Sequence, residues 1–127
     1  MCSRVLWTSD GQPILVGRNW DWTDVVVTEL YTTPRGVERS GMTPTNPMKW
    51  KAKYANVAAV AWEALTGGGI NEAGLSVNLL YLAESDFGER DDALKGVCCS
   101  VWAQYYLDCF ATVAEAVEAA KSIQVVP

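Results

Sequence analysis

Strand-forming runs through the first two thirds of the chain, followed by helical spacing in the last third, predict an α+β layered domain. Three observations carry this. A turn signal, Ser9-Asp10-Gly11-Gln12-Pro13, separates two short apolar stretches at the start. β-Branched and aromatic residues then recur in stretches of strand length. From Gly96 onward apolar residues fall at helical spacing, and a capping box opens a further helix.

Taken in order, Cys2 to Thr8 alternates loosely around Val5 and Trp7 and reads as a strand. Asp10-Gly11 supplies the positive φ of a tight turn, and Ile14 to Gly17 returns as a second strand. Asp24 to Thr32, with Val25-Val26-Val27 and Leu30-Tyr31, reads as a third. Thr33 to Lys51 holds Pro34, Pro44, Pro47, Gly36 and Gly41 and is expected to be a long loop. Tyr54 to Trp62 is the fourth strand, and Thr66-Gly67-Gly68-Gly69 is read as a flexible break. Ile70 to Gly74 reads as a turn and Leu75 to Leu82 as a fifth strand. Glu84 to Lys95 is charged and expected to be solvated. Gly96 to Phe110 places Val97, Val101 and Tyr105, with Trp102 and Tyr106, on a wide helical face. Thr112-Val113-Ala114-Glu115 caps a second helix, and Ile123 to Val126 is a candidate strand.

The size of the chain, 127 residues with half of them apolar, suits one domain with a real core. A net charge of −5 and a pI of about 4.6 argue against a nucleic-acid partner, because phosphate neutralisation needs a basic stripe. The longest lean stretch, Val57 to Trp62, is far too short to span a membrane. With no leader before Cys2, the expected location is cytoplasmic, or periplasmic if Met1 stands in place of a leader. Cys98 and Cys99 are adjacent and no C-x-x-C spacing occurs, so no metal site and no cofactor are expected. Cys98, Cys99 and Cys109 read as small buried residues.

Cys2 differs because of where it stands. Loss of Met1 would leave it with both a thiol and a free α-amine. A thiol needs a base to become an attacking thiolate, and the chain contains no histidine. The α-amine, with an ordinary pKa of about 7.7–8.0, is the natural substitute. Hairpin pairing folds Arg18 to Asp21 back beside Cys2, so Arg18 and Asp21 are the candidates to hold the thiolate and orient the amine. An ordinary ion pair at a strand end is the alternative for those two residues. Trp20 and Trp22 flank Asp21 and suit either a substrate pocket or the core, whereas Trp62 reads as core.

Three blocks in order, Met1-Cys2, Gly17-Arg18-Asn19-Trp20-Asp21 and Gly69-Ile70-Asn71-Glu72-Ala73-Gly74-Leu75-Ser76-Val77, resemble the choloylglycine hydrolase family, which includes penicillin V acylases and bile salt hydrolases. The resemblance implies an αββα four-layer sandwich of the N-terminal nucleophile hydrolase type. It implies autocatalytic exposure of the cysteine and hydrolysis of a linear, non-peptide amide, N-acyl homoserine lactones among them. By position it makes Cys2 nucleophile and base together, Arg18 and Asp21 its near partners, and Tyr81 an oxyanion-hole residue. A plain strand role is the alternative for Tyr81. An aromatic there is more like the acylases than the bile salt hydrolases, which tend to carry asparagine. Relatives suggest a homo-tetramer. The family's chains run more than twice as far, and their second half supplies an asparagine and another arginine to the site. Residues 1–127 are therefore expected to be the N-terminal portion of one incomplete domain, completed by the rest of the same protein or a companion chain. A bile salt (choloylglycine) hydrolase, or a non-catalytic module that binds an amphipathic ligand in its aromatic cleft, is the alternative function.

Overall fold

The computed structural model describes residues 2–127; Met1, and with it the expected unmasking of Cys2, lies outside the described residues. Strand β1 (Ser3–Trp7) and strand β2 (Leu15–Asn19) pair antiparallel, with Ser3 opposite Asn19 and Trp7 opposite Leu15. Their turn is the one the sequence predicts. Gly11 takes a φ of 71° and Gln12 N–H donates to the Ser9 carbonyl at 3.1 Å. The next strand, β3 (Thr28–Thr33), begins four residues later than expected, and the valines ahead of it, Val25 and Val27, are exposed. Their β-propensity finds no partner strand among the described residues, and pairing rather than propensity decides where a strand starts.

The expected loop between Thr33 and Lys51 instead contains a small antiparallel hairpin, β4 (Glu38–Ser40) with β5 (Lys49–Lys51). Proline and glycine confined to the turns left room for two three-residue strands. The inward residue of β5, Trp50, is buried, which gives the hairpin its anchor.

A four-stranded antiparallel sheet in the order β3-β6-β7-β8 forms the centre, with β6 (Asn56–Ala61), β7 (Leu65–Asn71) and β8 (Ser76–Asn78). Here the glycine run departs from expectation. Gly67 and Gly68 are buried and Gly69 half-buried within β7, and the run is no flexible break. Missing side chains let other groups approach the strand closely: a Cβ on Gly69 would stand 2.9 Å from Leu107 Cδ1. The fifth strand stops at Asn78, well short of Leu82.

Strand β9 (Lys95–Cys98) precedes helix α1 (Cys99–Cys109), so the expected helix from Gly96 starts three residues late. Gly96 and Val97 are recruited by parallel pairing with β10 (Ile123–Val126), whose partner was out of sight in a local window. Helix α2 (Val113–Ala120) carries the capping box as read: Thr112 Oγ1 accepts from Glu115 N–H at 3.2 Å, and Glu115 accepts from Thr112 N–H at 3.1 Å.

Helix α1 covers one face of the sheet, where Ala58, Val60 and Leu107 pack together. A second cluster joins Trp50, Val97, Tyr105, Cys109 and Ile123. Between them lies Asp108, fully buried, whose carboxylate accepts from Trp50 Nε1 at 2.7 Å and from Asn56 Nδ2 and Gln104 Nε2 at 2.8 Å each. Arg39 Nε stands 3.1 Å from the same group, an ion pair without hydrogen-bond alignment. The other face of the sheet carries exposed Leu30, Val57 and Ile70, and beside it the hairpin exposes Leu6, Ile14 and Leu15.

The Asn71–Leu75 block explains itself structurally. Asn71 Nδ2 donates to the carbonyls of Leu107 and Phe110 at 2.9 and 2.7 Å, closing off the end of α1. Its Oδ1 accepts from Ala73 and Leu75 N–H at 3.1 and 3.0 Å, and Gly74 makes the turn at a φ of 88°. One side chain thus ties the β7–β8 turn to the helix beneath it.

Candidate active site

Cys2 precedes β1, and β2 runs antiparallel to it, so the chain leaving β2 passes the cysteine. Ser3 N–H donates to Asn19 Oδ1 at 2.5 Å, pinning the two ends together. The Cys2 thiol lies 3.8 Å from the Asp21 carbonyl. Burial pushes its pKa up from the ordinary 9.0, but that is outweighed. Backbone hydrogen bonding with Asp21 and Tyr81, with the charge and hydrogen bond of Arg18, leaves the thiol below its ordinary value. Arg18 and Asp21 therefore both stand beside Cys2, Arg18 by its guanidinium and Asp21 by its main chain. Tyr81 also reaches the sulfur through its backbone, while its ring is exposed.

Arg18 is held from two sides. Its Nη1 donates to the Gly67 carbonyl, and its Cζ lies 5.0 Å from the centre of the Trp20 ring. Its Nη2 is buried and has no hydrogen-bond partner among the described residues. Trp20 lies against Gly67 in β7. Trp22 meets Tyr81 edge to face at 5.0 Å. Trp62, read from the sequence as core, is half exposed and joins this group, 6.4 Å from Trp20 and 6.5 Å from Trp22. The turn after β6 swings it outward, at a φ of 48°.

A cavity of about 530 Å³ opens on Cys2, walled by Trp20, Trp22, Leu79, Tyr81, Phe87 and Trp102 among others. That size and apolar lining suit a small organic ligand. Cys99 also faces it, and Cys98 and Cys99 are half-buried, so of the three cysteines expected in the core only Cys109 is buried.

Local patterns missed Gly67 and Trp62. The available signal for Gly67 was a glycine inside a strand-like run, which marks a bulge or a close approach. Trp62 offered no such signal, because its outward turn depends on two consecutive positive φ values, at Trp62 and Glu63.

This arrangement, a sheet with a helix on one face and a cysteine at the head of the first strand, has close counterparts among known proteins. The family model of linear amide C–N hydrolases, choloylglycine hydrolase family, matches residues 2–127. Penicillin V acylase of Pectobacterium atrosepticum is 38% identical over 132 residues, covering 97% of this chain and 34% of the relative. The structure of penicillin V acylase from Agrobacterium tumefaciens superposes with a TM-score of 0.92 at 38% identity, over all of this chain and 40% of that one. The C2A mutant of conjugated bile acid hydrolase from Clostridium perfringens gives 0.73 at 21% identity, over 99% and 39%, and shows the fold alone. The fold is that of the N-terminal nucleophile hydrolases, represented here by part of its layers. The chain belongs to the choloylglycine hydrolase family of linear amide C–N hydrolases, and spans roughly a third of the length of the curated relative it matches.

Proposed function

We propose that the protein containing this chain is a cysteine N-terminal nucleophile amidohydrolase of the penicillin V acylase kind. The observation that carries the reading is the ring of groups around one sulfur. Arg18 and the Asp21 and Tyr81 backbone favour a thiolate on Cys2, at the wall of an aromatic cavity. Once Met1 is removed, the Cys2 amine takes the thiol proton, and the Asp21 carboxylate orients the resulting ammonium. The thiolate attacks the amide carbonyl, and in this scheme the Tyr81 N–H donates to the oxyanion. The leaving amine takes its proton from the ammonium, leaving a thioester. Water then adds to the thioester and releases the acid, restoring the thiol.

An asparagine and an arginine from outside these 127 residues complete the site in this scheme, supplied by the rest of the same protein or a companion chain. Trp20 and Trp22, which wall the cavity and pack against Trp62, offer flat apolar surface for the acyl or aryl group. Penicillin V is the first substrate to test, because both acylase relatives stand at 38% identity and Tyr81 is aromatic. N-acyl homoserine lactones present the same kind of linear amide and are the second. The test is hydrolysis of penicillin V, an N-acyl homoserine lactone and a conjugated bile acid by the full-length protein, beside its Cys2→Ala variant. Release of the amine from penicillin V, abolished by Cys2→Ala, is the expected result. Turnover that survives Cys2→Ala overturns the mechanism, and turnover of the bile acid alone overturns the substrate assignment.

A further inference from the structure

We propose that Gly67 is a positioning residue of the Cys2 site: as the bulged residue of β7 it seats Trp20 and Arg18 together against the cysteine. The inference rests on the reading of Cys2 as nucleophile and adds a residue that the reading does not require. Its first support is register. Ala59 pairs with Gly68 and Val60 with Thr66, so Gly67 is the extra residue of a β-bulge and its carbonyl is released from the β6–β7 ladder.

That carbonyl serves two parts of the site. It accepts from Leu79 N–H at 2.8 Å, which fixes the segment entering Tyr81, and from Arg18 Nη1. A carbonyl has two lone pairs, and both are engaged here. The Cα side of the same residue is covered by the Trp20 ring. A Cβ there would stand 2.9 Å from Trp20 Cε3 and closer still to Cζ3 and Cη2. Trp20 in turn lies against the Arg18 guanidinium. A methyl at position 67 therefore has to lift Trp20, and Arg18 moves with it. Strand β7 has little freedom to retreat, because the neighbouring Thr66 Oγ1 donates to Gln104 of buried α1 at 3.2 Å. The backbone at Gly67 lies outside the positive-φ region, so space, and not conformation, demands glycine.

The experiment is alkylation of Cys2 by iodoacetamide across pH in the full-length protein, read on the N-terminal peptide by mass spectrometry. Buried Cys109 serves as the internal reporter of folding. Wild type, Gly67→Ala, Trp20→Ala and the Gly67→Ala/Trp20→Ala pair are compared. Gly67→Ala is expected to raise the alkylation midpoint by about one pH unit, a tenfold loss of thiolate at fixed pH. In the Trp20→Ala background the same substitution is expected to add nothing. An unchanged midpoint, or an equal shift in both backgrounds, overturns the proposal. If Gly67→Ala exposes Cys109 and the double variant does not, the clash with Trp20 is the cause and the proposal stands. If both expose it, the glycine serves the strand alone and the proposal fails. The readout is independent of amide hydrolysis. The alkylation pattern can hold while no amide is cut, which defeats the proposed activity alone. It can also fail while hydrolysis persists, which defeats the role of Gly67 alone.

Discussion

Cys2 begins with a thiol whose ordinary pKa of 9.0 would leave it mostly protonated at neutral pH. Its neighbours change that through specific atoms. Burial raises the value, and two backbone groups followed by the Arg18 guanidinium together lower it further than burial raises it. Arg18→Ala should therefore move Cys2 alkylation to higher pH, and thiolate reactivity near pH 7 should fall about tenfold for each unit of rise. A pH series of alkylation rates checks this, and an unmoved midpoint would refute the electrostatic role of Arg18. Tyr81 gives a second residue-scale prediction. Because it meets the sulfur through its backbone, Tyr81→Phe should leave kcat nearly unchanged. Tyr81→Ala removes the ring that packs on Trp22, a contact worth about 0.5–1.5 kcal/mol, and should raise KM by up to roughly tenfold. Equal losses of kcat in both variants would point instead to the phenol hydroxyl. The sequence named Cys2, Arg18, Asp21 and Tyr81 as one group; that Asp21 and Tyr81 reach the sulfur by main chain could not be read from side-chain identity.

Among the elements, β7 and α1 bear most of the support for the site. The Asn71 side chain makes four hydrogen bonds, two to the end of α1 and two within the β7–β8 turn. Asn71→Ala leaves the Leu107 and Phe110 carbonyls without that donor, and should cost about 2–4 kcal/mol in urea unfolding. Asp108 is the more severe case. Asp108→Ala leaves Arg39 without its carboxylate and removes the acceptor for Trp50, Asn56 and Gln104, with an expected loss of about 3–5 kcal/mol. The exposed carboxylates give a pH dependence. Glu72 is held below the ordinary 4.5 by Arg35, and Glu115 by the Ala111 and Thr112 N–H groups. A carboxyl lowered on folding contributes stability that is fully present above about 4.5 and is lost as pH falls through the folded value. Thermal unfolding should thus show Tm falling below pH 4.5, and less steeply in a Glu72→Gln/Glu115→Gln variant. Element types were legible wherever one local pattern ruled, as in the first hairpin and the capping box. They were missed at β4, β5, β9 and the glycine run of β7, where a distant partner supplies the pairing or the packing.

At the scale of the whole molecule, helix α1 covers one face of the central sheet, while the other face and the first hairpin expose Leu6, Ile14, Leu30, Val57 and Ile70 around a groove of about 760 Å³. An apolar surface of this continuity marks an interaction site or an association liability. We propose that the remainder of a longer chain, or a companion chain, lies there. Residues 1–127 expressed alone should then bind a hydrophobic dye strongly and fail to hydrolyse an amide that the full-length protein cleaves. Hydrolysis by the isolated 127 residues would contradict this.

Sequence alone determined the family, because three ordered blocks carry it. It also determined the hairpin and the capped helix, whose signals lie within a few residues of one another. Tertiary structure alone decided that Gly67 underlies Trp20, that Trp62 turns outward, and that Asp108 gathers four partners. Those facts depend on which strands meet and how closely, and contacts between residues dozens of positions apart leave no periodicity in the chain to read.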